Sequence, residues 1–445
     1  MTRRLLSALG LLGVLAGLAA AAQFACDTLP NGLVILTYED HRLPVVDIQL
    51  TCRSGSVFDP ADKAGTASLC ARLLARGTTT LSADSFASIV DFLGMQFDAG
   101  AGSDNSNVRA KVLTKDLNTA LDLLADAVLH PAFDGKEFEQ AREQALMGAR
   151  RMLDSPGAVA DAEFDRLLFA GHPLANPVSG DTGSLLRVTR DDLLAFHKAH
   201  YLPNNCFVVV VGDVTPAASR AALAARFGNW AKGTAPALNL PELVFPPKLK
   251  VKLFTRPELN QTYVVFGHPG IAMGDPDRIA TRLMSYILGG GALSSRLGMA
   301  VREKEGLAYD VRCYFDRTVM RNAFKATVQT AKPKEAIQLM FDEIRKMHDN
   351  GATQAELDKA HKYYTGSFPL TYSSSEGKRN QLHDIALYNL GMDFLEKYPD
   401  KIRAVTLSDI NAAARSRLEP GQYIMVVVGN VTKEELGLTD AEWVE

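Results

Sequence analysis

"CFVVVVGDVT", Cys206–Thr215, and "YIMVVVGNVT", Tyr423–Thr432, are one phrase written twice. Each is an apolar, β-branched run that closes on glycine and a turn, the pattern of a buried strand. The second follows the first by 217 residues, Val209 to Val426. "VTRDDL" from Val188 returns in the same register as "VTLSDI" from Val405, and "VVDIQL" from Val45 as "TYVVFG" from Thr262. Three matches in one register identify a duplicated domain, because the unit is far too long for a solenoid repeat.

Outward from these phrases, each half opens on alternating strands, such as "LVILTYE" and "VVDIQLTCRSG". Long helical patterns follow, among them "LNTALDLLADAVLH" and "AIQLMFDEIRKMHD", and each half then closes on its β-rich run. Strands at both ends with helices between predict an α+β fold of two homologous domains. Each is expected to be a mainly antiparallel sheet with helices packed on one face. The Pro-rich "APALNLPELVFPPK", residues 235–248, is the expected extended linker. It separates an N-terminal domain, 23–234, from a C-terminal one, 249–445.

Residues 1–22 have the layout of a signal peptide: Arg3 and Arg4, an apolar run from Leu5 to Ala22, then small residues suited to cleavage after Ala22. The 18 apolar residues of Leu5–Ala22 could instead just span a bilayer as an uncleaved anchor. Export to the periplasm, with no membrane attachment after cleavage, is the expectation. The formal charge of −3, from 48 basic and 51 acidic residues, gives no support for a nucleic-acid partner. Five scattered cysteines with no C-x-x-C spacing read as single buried thiols.

Nine histidines offer few ligand constellations. His197 and His200 in "HKAH" stand one helical turn apart, but no Glu lies between them and "HYLPNN" ends the helix at once, which favours a structural or solvated role. His172 in "GHPLANP" and His268 in "GHPG" sit in turn-like contexts. "LGGGALSSRLG", Leu288–Gly298, lacks the Lys-Ser/Thr ending of a phosphate loop and reads as a turn opening a helix.

Two stretches hold more. In "GTASLCARLLARGT", Gly65–Thr78, the residues Leu69, Cys70, Leu73 and Leu74 make a buried helical stripe. Ser68, Ala71 and Arg72 share another face at i, i+3 and i+4, the spacing at which a helix presents metal ligands and a base. A hydroxyl, a methyl and a guanidinium cannot hold a divalent metal. In "SSRLGMAVREKEGLAYDVRCYF", Ser294–Phe315, a helix runs to about Glu305, Gly306 stops it, and a strand places Leu307, Tyr309, Val311 and Cys313 on one face. Arg302 then lies in the last helical turn and Tyr309 on the strand, within reach of one cavity. Each also has a plain reading, as a cation at a helix C-terminus and as a packed strand aromatic.

The chain resembles the pitrilysin/insulinase family of zinc peptidases, whose active-site helix carries an inverted H-x-x-E-H motif. The resemblance runs from "TLPNGLVIL" through "RSGSVFDPADKAGTA", "RRMLDSP", "GHPLANPVSGDTGSL" and "YLPNNCFVVVVGDV" to "SSRLGMAVREKEGLAY". It places the first ligand His at Ser68, the base at Ala71, the second ligand His at Arg72, and the distal ligand Glu at Gly148. All four positions are replaced, so the resemblance implies that this chain binds no zinc. A family pattern R-x-K-x-x-L-x-Y is kept in "REKEGLAY", with Arg302 and Tyr309, and implies substrate-binding donors to a peptide carbonyl.

In two-chain members one subunit supplies the zinc motif and the other the Arg/Tyr pair. The resemblance therefore implies a non-catalytic, substrate-positioning subunit of a heterodimeric peptidase, with zinc in an H-x-x-E-H partner chain and peptide as substrate. The alternatives are a structural core-type subunit and a peptide-binding protein with no role in catalysis.

Overall fold

The repeated strand phrases form interior strands of two six-stranded sheets in the computed structural model, which describes residues 24–445. The expected leader, 1–22, lies outside the described residues. The first sheet contains β1 (Ala25–Thr28), β2 (Val34–Glu39), β3 (Val45–Cys52), β4 (Gln96–Ala101), β5 (Ser106–Leu113) and β6 (Cys206–Gly212), in the order β1-β2-β6-β3-β5-β4. The second contains β7 (Lys250–Thr255), β8 (Thr262–Pro269), β9 (Ala308–Phe315), β10 (Ala323–Thr330), β11 (Ile424–Gly429) and β12 (Glu442–Val444), in the order β12-β7-β11-β8-β10-β9. Pairings are antiparallel except β2 with β6, and β7 with β11 and β12. The repeat is metric as well as verbal: Val45–Cys52 and Thr262–Pro269, and Ser106–Leu113 and Ala323–Thr330, match end to end at the 217-residue offset. Residues 231–246, which include most of the expected linker, carry no helix or strand.

Strand β6 is buried along its whole length, and its two faces meet different partners. Cys206, Val208 and Val210 pack with Leu121, Leu124 and Leu223 from helices of their own half. Phe207, Val209 and Val211 belong to a cluster with Leu382 and Ile385 of the other half. A continuous apolar run is what a strand covered on both sides requires. Each half does carry helices on one face of its sheet, as expected, and the opposite face is closed by a helix lent from the other half. The Pro156–Leu168 helix lies on β8 and β11, with Ala160, Phe164 and Leu168 against Val265, Ile424, Val426 and Val428. In return the Ser375–Leu387 helix lies on β3 and β6.

Charge pairs secure both crossings. Asp47 is fully buried, accepts from Arg109 at 2.8 and 3.0 Å, and faces the Arg379 guanidinium at 3.4 Å. Arg379 also donates to Gln49 at 2.5 Å, and Lys378 pairs with Asp40. The Arg42 guanidinium, helped by Lys378, holds the Asp40 carboxyl well below the usual carboxylate range. At the reciprocal crossing Lys325 pairs with Asp165 at 2.7 Å. Four of the five cysteines are buried free thiols; Cys26, on the edge strand β1, is exposed, which corrects the expectation of uniform burial.

Candidate functional site

The Thr66–Leu73 helix follows the loop that leaves β3 at Cys52 and starts from a turn at Gly65, at φ +97°. A side chain there would be strained and would meet Leu185 at 2.9 Å, so the turn requires glycine. Asp59 caps the helix from the preceding loop, accepting from the Gly65 and Ala67 amides at 2.8 Å each. Burial pushes the Asp59 carboxyl up to about 7, while those amide donors pull the other way. Leu69, Cys70, Leu73 and Leu74 are buried, as the helical stripe predicts.

The three positions of interest are less uniform than their spacing implies. Ser68 and Arg72 are partly exposed, whereas Ala71 has no exposure at all and belongs to the packed side. The helix packs on the Gly135–Met152 helix, which carries Gly148. Gly148 is exposed, and a side chain there would meet nothing within 4 Å. Arg72 makes no ion pair among the described residues. A site of hydroxyl, methyl, guanidinium and hydrogen does not fit zinc, which takes thiolate, imidazole or carboxylate ligands and is repelled by a fixed cation.

The four histidines singled out in the sequence are held by packing and local hydrogen bonds. His197 Nε2 lies 2.8 Å from the Val128 carbonyl, and its ring stacks on Tyr201. His200 sits between Phe58 and Phe196 with Nδ1 3.0 Å from the Ser54 hydroxyl, and burial pulls its pKa down to about 4. His268 stacks on Phe324 and Tyr423. Its Nδ1 donates to the Pro269 carbonyl at 2.9 Å and its Nε2 accepts from the Glu419 amide at 3.3 Å, the pattern of a neutral ring. Burial brings it to about 4 as well. His172 Nδ1 accepts from the Leu174 amide. No group of three His, Cys, Asp or Glu side chains that could hold a metal occurs among the described residues.

In the second half Arg302 and Tyr309 meet. Arg302 lies in a widened, π-helical turn, Gly298–Lys304, of the kind often found at functional positions. The turn closes with Gly306 at φ +59°, whose amide donates to the Arg302 carbonyl at 3.0 Å. The Arg302 guanidinium stands over the Tyr309 ring, 4.4 Å from its centre, and donates to the Tyr309 carbonyl at 3.0 Å. Tyr309 does not share a face with Val311 and Cys313. A register shift between Gln329 and Thr330 of β10 makes it the extra residue of a bulge, and it stands 80% exposed on the edge strand β9. Bulges re-aim single side chains in this way, and alternation in the sequence cannot show it.

No motif of the sequence marks a cavity of about 570 Å³ in the second half, walled by the Arg278–Ser285 helix, the end of β9 and the Gln354–Thr371 helix. Arg278, Arg282, Tyr286, Tyr364, Phe394 and Tyr398 line it, and neither Arg302 nor Tyr309 does. The paired arginines one turn apart and the adjacent tyrosines of "KYYTG" were the available signals. Beside the cavity, "LGGGALSSRLG" serves packing: a side chain at Gly289 would lie 2.5 Å from the Cys313 amide of β9.

Residues 34–182 match the family model described as Insulinase (Peptidase family M16), and residues 187–364 match the one described as Peptidase M16 inactive domain. An uncharacterized zinc protease of Mycobacterium bovis is 30% identical over 409 residues, spanning 90% of this chain and 92% of that one. A non-peptidase homolog of Helicobacter pylori is 25% identical over 428 residues, spanning 96% and 98%. The crystal structure of a peptidase M16 inactive domain from Pseudomonas fluorescens superposes with a TM-score of 0.85 at 28% identity, covering 92% of this chain and 98% of that one.

Proposed function

The chain belongs to the M16 insulinase family of peptidases, as a member of its inactive type, and on that premise we propose that it is the substrate-positioning subunit of a two-chain peptidase. The observation that carries the reading is an asymmetry. The helix position that would bind zinc holds Ser68, Ala71, Arg72 and, on the neighbouring helix, Gly148, while Arg302 and Tyr309 are kept and held together. The partner would be a homologue bearing H-x-x-E-H, whose zinc polarises the scissile carbonyl.

This chain's share is orientation and charge. A peptide adds as a strand along an exposed sheet edge. The stack on Tyr309 and the bond to its carbonyl fix the Arg302 guanidinium, whose remaining N–H groups, with the Tyr309 hydroxyl, donate to the substrate carbonyl as negative charge develops on it. Two donors already in place act without reorganising during the reaction. The reading includes export to the periplasm, which rests on the residues 1–22 pattern.

The test is to capture the mature chain from its own cell envelope, identify a stoichiometric H-x-x-E-H partner, and assay the pair. Arg302→Ala is expected to lower kcat by about a hundredfold, the usual loss for one such donor, without releasing the partner. Unchanged cleavage by that variant would end the composite-site reading. Recovery of the chain within an assembly lacking the motif would favour the structural alternative.

A further inference from the structure

The cavity of the second half stands where the first half has its degenerate zinc helix. At the 217-residue offset Ser285, in its wall, corresponds to Ser68, and the Gln354–Thr371 helix matches Gly135–Met152 with a slip of two residues. Arg278 and Arg282 both line the cavity, and neither has a carboxylate within 4.0 Å among the described residues. The Arg282 guanidinium stands over the rings of Tyr364 and Tyr398, at 4.8 and 5.8 Å.

Two acids also face the space, and both are engaged. Asp384 binds Arg317 at 2.7 Å and is near enough to act on Arg282 through space, and Asp316 lies 3.9 Å from Lys325. Burial pushes Asp316 up to about 6, so it presents less than a full negative charge near that pH. Thr281, buried in the wall, has a hydroxyl with no hydrogen-bond partner, and the buried Tyr398 hydroxyl faces Arg282. Buried hydroxyls are rarely left without a partner, and unpaired guanidinium groups inside a concave site cost solvation that a bound anion restores.

We propose that this cavity binds the C-terminal end of a peptide, with the terminal carboxylate on Arg278 and Arg282 and the last side chain among Tyr286, Tyr364 and Phe394. The carboxylate follows from the two unpaired guanidinium groups, and an apolar last residue from the aromatic walls. The volume is that of a small-ligand site and takes more than one side chain. That the acid is a peptide's rests on membership of a peptidase family; the preference for a carboxylate does not. The site is separate from Arg302 and Tyr309 and needs no partner chain, so it is tested on the isolated protein.

The experiment is fluorescence anisotropy with a labelled pentapeptide ending in phenylalanine, as the free acid and as the C-terminal amide. The acid is expected to bind about tenfold tighter or more, the order of one charge-assisted, forked contact. Arg282→Gln is expected to reduce the acid to the affinity of the amide, and Arg282→Lys, which keeps the charge and loses the fork, to fall between. Thermal midpoints of both variants establish that they are folded. Equal binding of acid and amide, or an unchanged preference in a folded Arg282→Gln protein, would overturn the proposal. Displacement of the peptide by 3-phenylpropionate as strong as that by the unlabelled peptide would overturn its peptide part. Each of these results leaves the two-chain cleavage assay unaffected.

Discussion

One helix position, occurring once in each half, has been put to opposite uses. In the first half the Thr66–Leu73 helix is packed shut around a fully buried Ala71. In the second half the corresponding stretch, 283–290, is the end of the Arg278–Ser285 helix and its widened turn, Tyr286–Gly290, and it borders an open cavity whose arginines stand just before it in the same helix. The surrounding sheets match in five of their six strands and differ only in the far edge strands, β1 and β12, so the scaffold does not decide what this position does. A few side chains decide it: Arg72 in one half falls on Gly289 in the other, where β9 comes too close for any side chain.

The comparison depends on the two halves holding one another in place, and the strongest way to break it is at their junction. Asp47→Ala would leave the buried Arg379 and the half-buried Arg109 without their shared carboxylate, and the expected loss is about 3–5 kcal/mol, read as a fall in the urea midpoint. A loss under about 1 kcal/mol would mean that the crossing is held by apolar packing alone.

Next in size is the closed helix itself. Ala71→Glu restores the acid that an active member carries, but at a position with no exposure, so it should cost at least about 3 kcal/mol. Full stability in that variant would show that the first half retains an open cleft and would erase the contrast with the second.

A third measurement sharpens the contrast through pH. His268, buried in the second half, has its pKa lowered to about 4. Its neutral form is favoured in the folded protein, while the unfolded chain binds a proton below about pH 6.5. Its contribution is therefore full above pH 6.5 and is lost as pH falls toward 4. His268→Phe should flatten the stability profile between pH 7 and 5 by about 2 kcal/mol, measured by denaturation at both values. A parallel profile would place a charged ring in the folded state.

The smallest effect is expected at the fourth degenerate position. Gly148→Glu points into open space from the middle of a helix and should be neutral or stabilising by about 0.5 kcal/mol. Together with Ala71→Glu it separates two vacancies that the sequence makes look alike: one is filled in and the other is merely empty.

Much of the fold was legible because the repeat was. Strand phrases at a fixed offset carry their register with them, and β3, β5, β8 and β10 fall where the repeat puts them. The lent helices were not legible. "PGAVADAEFDRLL" is a helix with an apolar stripe whichever sheet it covers, and local periodicity holds no information about its partner. At the site, the degenerate positions could be placed by spacing along one helix, but their burial could not, because Ala71 is covered by tertiary packing. The exposure of Tyr309 depends on a bulge that shifts one ladder by one residue. The cavity was hidden because its walls come from segments far apart in the chain, so that Arg282 and Tyr398 meet only after folding.

The exchange of helices has a consequence for how the protein is made. The Pro156–Leu168 helix leaves the ribosome long before β11, the strand that it covers, has been synthesised. Until Ile424–Gly429 arrives, Phe164 and Leu168 have only the β8 part of their surface to bury against, and the outer face of β6 waits in the same way for Ser375–Leu387. Neither half can finish first. Such a chain completes both halves in one late step after a long exposed interval, a schedule that makes early termination costly and gives a holding chaperone something to hold.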